Sequence, residues 1–220
     1  MKILSHRGFW HAPSEKNHLS AFKRTVAHGF GTETDVRDQA GLLFISHDPI
    51  SGDAMPLNDL IDIFASASAR PLSLAINIKA DGLAVPLAAA FGDRDVDWFA
   101  FDMSVPDMLH HIRIGNPVFG RMSEYEPLAA ELKSDLRGIW LDSFRSDWFG
   151  KDLVQRLLDD GLEVCVVSPE LHGRSFERQW EMLARLIEYD SLMLCTDHPE
   201  RAALFLGIDA EQACTRQVAQ

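Results

Sequence analysis

Residues 31–50 read GTETDVRDQAGLLFISHDPI. Glu33 and Asp35 are separated by one residue, so on a strand they project to one face while Thr34 points to the other. Two like charges held side by side in a folded interior are costly unless a cation neutralises them. Carboxylate oxygens select hard ions such as Mg²⁺, Ca²⁺ or Mn²⁺, and Mg²⁺ favours one or two carboxylates together with a substrate phosphate. The plainer alternative is an exposed acidic strand end paired with Arg37. The stretch then runs through a short apolar segment, Leu42–Ser46, into a loop bearing His47.

Outward from this stretch, short runs rich in Ile, Val, Leu and Phe alternate with amphipathic segments of helical period, the pattern of a parallel α/β sheet. Strands are expected at Lys2–Ser5, Gly31–Val36, Leu72–Lys79, Trp98–Asp102, Pro117–Arg121, Gly138–Asp142, Glu163–Val167 and Leu192–Thr196. Helices are expected at His18–His28, Leu57–Ser66, Leu83–Phe91, Pro106–Ile112, Pro127–Lys133, Lys151–Asp160, Phe176–Glu188 and Pro199–Phe205. Eight such pairs predict a (β/α)8 barrel in a single domain over residues 1–207, with a polar C-terminal tail over residues 208–220.

The bulk composition agrees. A chain of 220 residues that is 46% hydrophobic suits one sizeable core, and it holds no apolar run long enough for a membrane span. The N-terminus passes from Met1 into KILS without the regions of a secretory signal, so the mature start is expected at Met1. Cys165, Cys195 and Cys214 are odd in number and widely spaced, which argues against a disulfide framework or a structural zinc site and for a reducing cytoplasm. A formal net charge of -12 lacks the footprint of nucleic-acid binding. An anionic small molecule would have to be drawn in by local cations or a metal.

A barrel places its active site at the C-terminal ends of the strands and in the loops that follow. His6 and Arg7 close the first strand, Glu33 and Asp35 the second, and Asn77 and Lys79 the third. Arg121, Ser123 and Glu124 close the fifth, Asp142 the sixth and Asp197 the eighth. Asn77 and Lys79 repeat the one-residue spacing, so an amide oxygen for a hard cation and an ammonium for a phosphate oxygen face the same cavity. His6 and His47 can supply the base and the acid that cleavage of a phosphodiester needs. His28, His110 and His111 fall on expected helices, and His11 and His18 near the entry to the first, where surface or capping roles suffice. Glu124 is a candidate metal or hydroxyl contact, and Asp142 a candidate contact for a polar head group. A strand-end salt bridge, for example with Arg121, fits either equally well.

SHRG at residues 5–8, PSEKNHLSAF, GTETDVR, SHDP and finally CTDHPERA occur in an order that resembles the glycerophosphodiester phosphodiesterase family. That family has an H-R-G opening, a P-E-N-T-x-x-A-F segment, E-x-D and E-x-K strand ends, an H-D pair and a closing T-D-x-P. The resemblance implies a TIM barrel that uses a divalent metal to hydrolyse glycerophosphodiesters to glycerol phosphate and an alcohol, a reaction of lipid metabolism. It implies His6 and His47 as the acid/base pair, Glu33, Asp35 and Asn77 at the metal positions, and Arg7 and Lys79 on the phosphate.

Three departures stand out. Asn77 occupies the place of the family's metal-ligating glutamate and removes one negative charge. Only 24 residues, Pro49–Leu72, separate the His47–Asp48 pair from the third strand, so the small subdomain that many relatives insert there is expected to be shortened or absent. PSEKN replaces P-E-N-T, and the seventh strand ends in VVSPELHGR, where Glu170 and His172 read as solvated loop residues. Two other readings remain open: a phosphorus–oxygen lyase that releases a cyclic phosphate, and a silent barrel that binds a phosphorylated ligand.

Overall fold

The structure, a computed structural model, describes residues 1–66 and 71–208. Its strands are β1 (Lys2–His6), β2 (Gly31–Gln39), β3 (Leu42–Ile45), β4 (Met55–Pro56), β5 (Ser73–Ile78), β6 (Asp97–Phe101), β7 (Phe119–Met122), β8 (Gly138–Leu141), β9 (Glu163–Val167) and β10 (Leu192–Thr196). Eight of them form a closed parallel ring in the order β1-β2-β5-β6-β7-β8-β9-β10. The β6–β7 step is carried by the bridge between Ala100 and Val118, and β10 closes the ring on β1 with Leu4 opposite Cys195. This is the expected (β/α)8 barrel. The extra segment after β2 is antiparallel: β3 folds back on the end of β2, pairing Val36 with Ile45, and β4 pairs with β3.

The two faces of the strands explain where the functional residues go. One cluster of buried side chains, including Leu4, Ala75, Phe99, Phe119, Trp140 and Cys195, fills the barrel interior. Phe99 stacks on Phe119 with centroids 3.6 Å apart, and Phe101 on Trp140 at 3.8 Å. The intervening residues, among them Ile3, Ile76, Ile139, Val164 and Leu194, face the helices and join the outer core. Side chains alternate, so the residue two beyond each apolar interior position points the same way one layer higher. His6 therefore follows Leu4, Asn77 follows Ala75, Arg121 follows Phe119, Asp142 follows Trp140, and Asp197 follows Cys195. The mouth is the polar top layer of the same inward face.

Seven α-helices cover the ring among the described residues: α1 (Leu19–Ala27), α2 (Leu57–Ala65), α3 (Ala84–Phe91), α4 (Val105–Arg113), α5 (Lys151–Asp159), α6 (Glu177–Leu183) and α7 (Pro199–Leu206). Most bury an apolar stripe, as α5 does with Val154, Leu157 and Leu158, whereas α4 buries Asp107 and His111 beside Met108. The helix expected at Pro127–Lys133 is instead a 3-10 helix at Ala130–Asp135 with no fully buried residue, although Leu128 and Leu132 pack against the core. The expected Phe176–Glu188 helix is split into α6 and a 3-10 turn at Ala184–Leu186. Between the His47–Asp48 pair and β5, the described residues hold only β4 and α2. Residues 209–220, including Cys214 and nearly all of the expected tail, lie outside the described residues.

No helix of the described residues is long and apolar enough to cross a membrane. Cys165 and Cys195 are both buried and free.

Candidate active site

The first strand ends in a tight turn. Arg7 and Gly8 both adopt positive φ, 59° and 84°, and a Cβ on Gly8 would lie 2.8 Å from that of Ala21. Buried hydroxyls hold this turn: Gly8 N–H donates to Thr32 Oγ1 at 3.0 Å, Phe9 N–H to Thr25 Oγ1 at 2.7 Å, and Ser5 Oγ lies 2.9 Å from Thr25 Oγ1. The turn sets His6 against the end of β10, where its Nδ1 lies 2.6 Å from Asp197 Oδ1. An ionised carboxylate only accepts, so Nδ1 carries the hydrogen and Nε2 is left to face the cavity, 3.8 Å from Glu33 Oε2. Burial opposes ionisation of Asp197, but His6 and the Lys16 ammonium at 3.3 Å outweigh it and hold its carboxyl below the usual range. Lys16 in turn lies 4.5 Å over the Trp10 ring, and the Trp10 indole donates to the His6 carbonyl at 3.1 Å.

Glu33 and Asp35 are almost fully buried, 2% and 0% exposed, which excludes the alternative of an exposed strand end. Arg37 instead donates to the His47 carbonyl at 3.0 Å. Asp35 is surrounded by two cations and a neutral donor: Arg7 Nε at 2.8 Å, Lys79 Nζ at 3.4 Å, and the Asn17 amide donating at 2.9 Å. Arg7 Nε is off-axis for a hydrogen bond, so that contact is purely ionic. Glu33 lacks a comparable set. Burial first, and then the Asp35 charge, push its carboxyl up to about 7 against the opposing pull of His6, Arg7 and Lys79.

Three buried oxygens on adjacent strands have no hydrogen-bond partner: Glu33 Oε2, Asp35 Oδ1 and Asn77 Oδ1. Asp35 and Asn77 are directly opposite in the β2–β5 register. Leaving such atoms unsatisfied costs roughly 1–3 kcal/mol each, and two carboxylate oxygens with an amide oxygen are the donor types a hard cation takes. The residues therefore fit a divalent ion. No cluster of three or more His, Cys, Asp or Glu residues suited to a metal occurs among the described residues, because the third oxygen here belongs to an amide.

The charged network continues around the mouth. Lys79 Nζ is 3.7 Å from Asp102 Oδ2, Asp102 pairs with Arg121, and Arg121 Nε donates to Glu126 at 2.6 Å. Farther round, Asp142 Oδ1 accepts from Ser143 N–H at 2.7 Å and lies 2.7 Å from His172 Nε2. Glu170 ties β9 to β10 by accepting from Ser168, Thr196 and the Asp197 N–H.

The structure brings His6, Arg7, Glu33, Asp35, Asn77 and Lys79 together. His47 is only on the rim. Ser46 N–H donates to the Asp35 carbonyl at 3.0 Å and returns the chain to β2, but the His47 ring is half exposed, pairs with Asp48 at 2.9 Å and has no bond to the cluster. Glu124 does not join it either. Its carboxylate accepts from the backbone N–H groups of Phe144, Arg145 and Ser146, and these outweigh burial to hold its pKa low, so it fastens the loop after β8. Lys16 and Asn17 went unassigned in the sequence because they sit on an irregular loop. Asn17, at φ 59°, links Thr34, Asp35 and the Arg7 carbonyl.

Fold and site together define a (β/α)8 barrel with an acidic, histidine- and arginine-bearing cluster at the C-terminal mouth. No protein-family model and no curated protein matches the sequence. Among solved structures, the chain is similar to an Oleispira antarctica phosphodiesterase in complex with the product sn-glycerol-3-phosphate, at TM-score 0.70 and 14% identity over 94% of this chain and 97% of that one. It is also similar to a glycerophosphodiester phosphodiesterase from Agrobacterium tumefaciens, at TM-score 0.65 and 18% identity over 94% and 99%. A mutant tryptophan synthase α-subunit from Pyrococcus furiosus matches at TM-score 0.56 and 13% identity over 97% of both chains. At these identities the likeness establishes the barrel, and function rests on the site.

Proposed function

We propose that this protein is a metal-dependent phosphodiesterase that hydrolyses a glycerophosphodiester to glycerol phosphate and an alcohol. The observation that carries the reading is a set of three buried oxygens without a hydrogen bond, on Glu33, Asp35 and Asn77, in a cluster that also holds His6, Arg7 and Lys79. The product-bound Oleispira antarctica relative of the same fold supports it. Glu33, Asp35 and Asn77 would hold the divalent ion, Mg²⁺, Ca²⁺ or Mn²⁺, which when bound neutralises the buried acids and polarises the phosphoryl group.

Arg7 and Lys79 present their remaining donors to the phosphate oxygens. His6, oriented by Asp197, takes at Nε2 the proton of the attacking hydroxyl, either the substrate's own glycerol hydroxyl or a water. His47, on the loop above β2, hands a proton to the departing alcohol oxygen as its bond to phosphorus breaks. Where the glycerol hydroxyl attacks, water then opens the cyclic phosphate with the two histidines in exchanged roles. The free, buried thiols of Cys165 and Cys195 support a reducing, cytoplasmic setting.

One observation favours a second reading, a silent barrel that binds a phosphorylated ligand: the third oxygen is an amide, so the site carries one negative charge fewer. The test is hydrolysis of glycerophosphodiesters by metal-stripped protein, with each ion added back, followed by phosphorus NMR. Restored turnover giving glycerol phosphate is expected, with His6→Ala and His47→Ala inactive though folded. Turnover only in Asn77→Glu would support the silent barrel, and a cyclic phosphate as final product would mark a lyase.

A further inference from the structure

We propose that His172, held by Asp142, contacts the alcohol side of the substrate and selects esters whose alcohol bears hydroxyl or other acceptor oxygens; this rests on the phosphodiesterase reading above. The ring order places β8, which carries Asp142, four strands from β2, directly across the mouth from Glu33 and Asp35. On this reading the phosphate lies between Arg7 and Lys79 and the alcohol extends across the mouth, where β8 and β9 form the far wall.

His172 ends the 3-10 helix Pro169–His172 that follows β9. Its ring is fixed on two sides, by Asp142 Oδ1 at 2.7 Å from Nε2 and by the Phe144 ring with centroids 4.8 Å apart. Among the described residues Nδ1 has no hydrogen-bond partner, and with the side chain 23% exposed this nitrogen is the part of the pair left for a ligand. The hydrogen bond to Asp142 raises the proton affinity of His172 despite burial, which favours the form in which Nε2–H donates to Asp142 and Nδ1–H is a charged donor. Such a donor suits a hydroxyl or anionic oxygen.

A quaternary ammonium finds the opposite environment. A protonated His172 repels it, and binding such a group well requires open aromatic faces. Phe144 is packed on His172, and Arg145 already covers Tyr125 at 5.8 Å. Of the mouth acids on this side, Asp102 and Glu126 are paired with Arg121, Asp142 with His172, and Glu124 is held by the N–H groups of Phe144, Arg145 and Ser146.

The experiment compares kcat/KM for glycerophosphoglycerol and glycerophosphocholine in wild type, His172→Phe and His172→Gln. Wild type is expected to prefer the glycerol ester by about tenfold or more, as loss of a charged hydrogen bond implies. His172→Phe should lower that ratio about tenfold, mainly through KM, and His172→Gln, which keeps an N–H donor, should restore part of it. An equal fall for both esters without rescue by glutamine would mean that the pair only ties β8 to β9, and would overturn the proposal. So would a wild-type preference for the choline ester. No turnover of either ester by wild type would overturn the phosphodiesterase reading and the subsite with it.

Discussion

Glu33 is buried beside Asp35 without a cation of its own, and this has a measurable consequence for the ion-free protein. Its carboxyl titrates near 7 in the folded chain and near 4.5 when unfolded, so between those values the folded state holds the proton more tightly. The stabilisation is present at low pH and is lost as pH rises through 7, an effect on the order of 1–3 kcal/mol. Thermal unfolding of metal-stripped protein should therefore show a Tm that falls from pH 5 to pH 8, with the fall flattened in Glu33→Gln. An identical slope in both proteins would show that Glu33 is not the group responsible. At this scale the residues readable from sequence were those on strands: Glu33 with Asp35 and Asn77 with Lys79 announce a shared face by their spacing. Asp197 was visible as a strand end, but its bond to His6 joins residues 191 positions apart and follows only from ring closure.

Among the elements, the strands were more legible than what connects them. β9 and β10 begin and end where the apolar runs do, whereas the segment after β7, expected as a helix, forms a 3-10 helix displaced toward its C-terminal side. The strands also carry a packing constraint that their composition hides. A Cβ on Gly138 of β8 would lie 2.5 Å from the Glu163 carbonyl oxygen and 2.6 Å from Phe119 Cζ, so backbone and an interior ring would both have to move. Gly138→Ala is expected to cost about 1–3 kcal/mol in a denaturant titration. Gly150→Ala, where the added Cβ meets nothing within 4 Å, should cost well under half as much. Equal losses at the two sites would remove the packing explanation.

For the molecule as a whole, the interior is a filled core and not a channel, and burial pushes both Cys165 and Cys195 thiols far up. Neither should react with a thiol reagent in the native state, and peptide mapping after labelling should find both modified only once denaturant opens the ring. Labelling of either at the rate of a free thiol would contradict the closed barrel. The sequence alone determined the barrel and which strand ends are polar, because side-chain alternation and apolar periodicity are local properties of a chain. It also placed the acids, the asparagine and the cations Arg7 and Lys79 at one end of the strands. Only the tertiary structure decided that Asp197 and Lys16 meet at His6, that Glu124 anchors a loop instead of facing a ligand, and that Asp142 and His172 stand across the mouth from Glu33. Those relations depend on how eight strands close into a ring and how the loops fold over it, and neither is written in the spacing of any one segment.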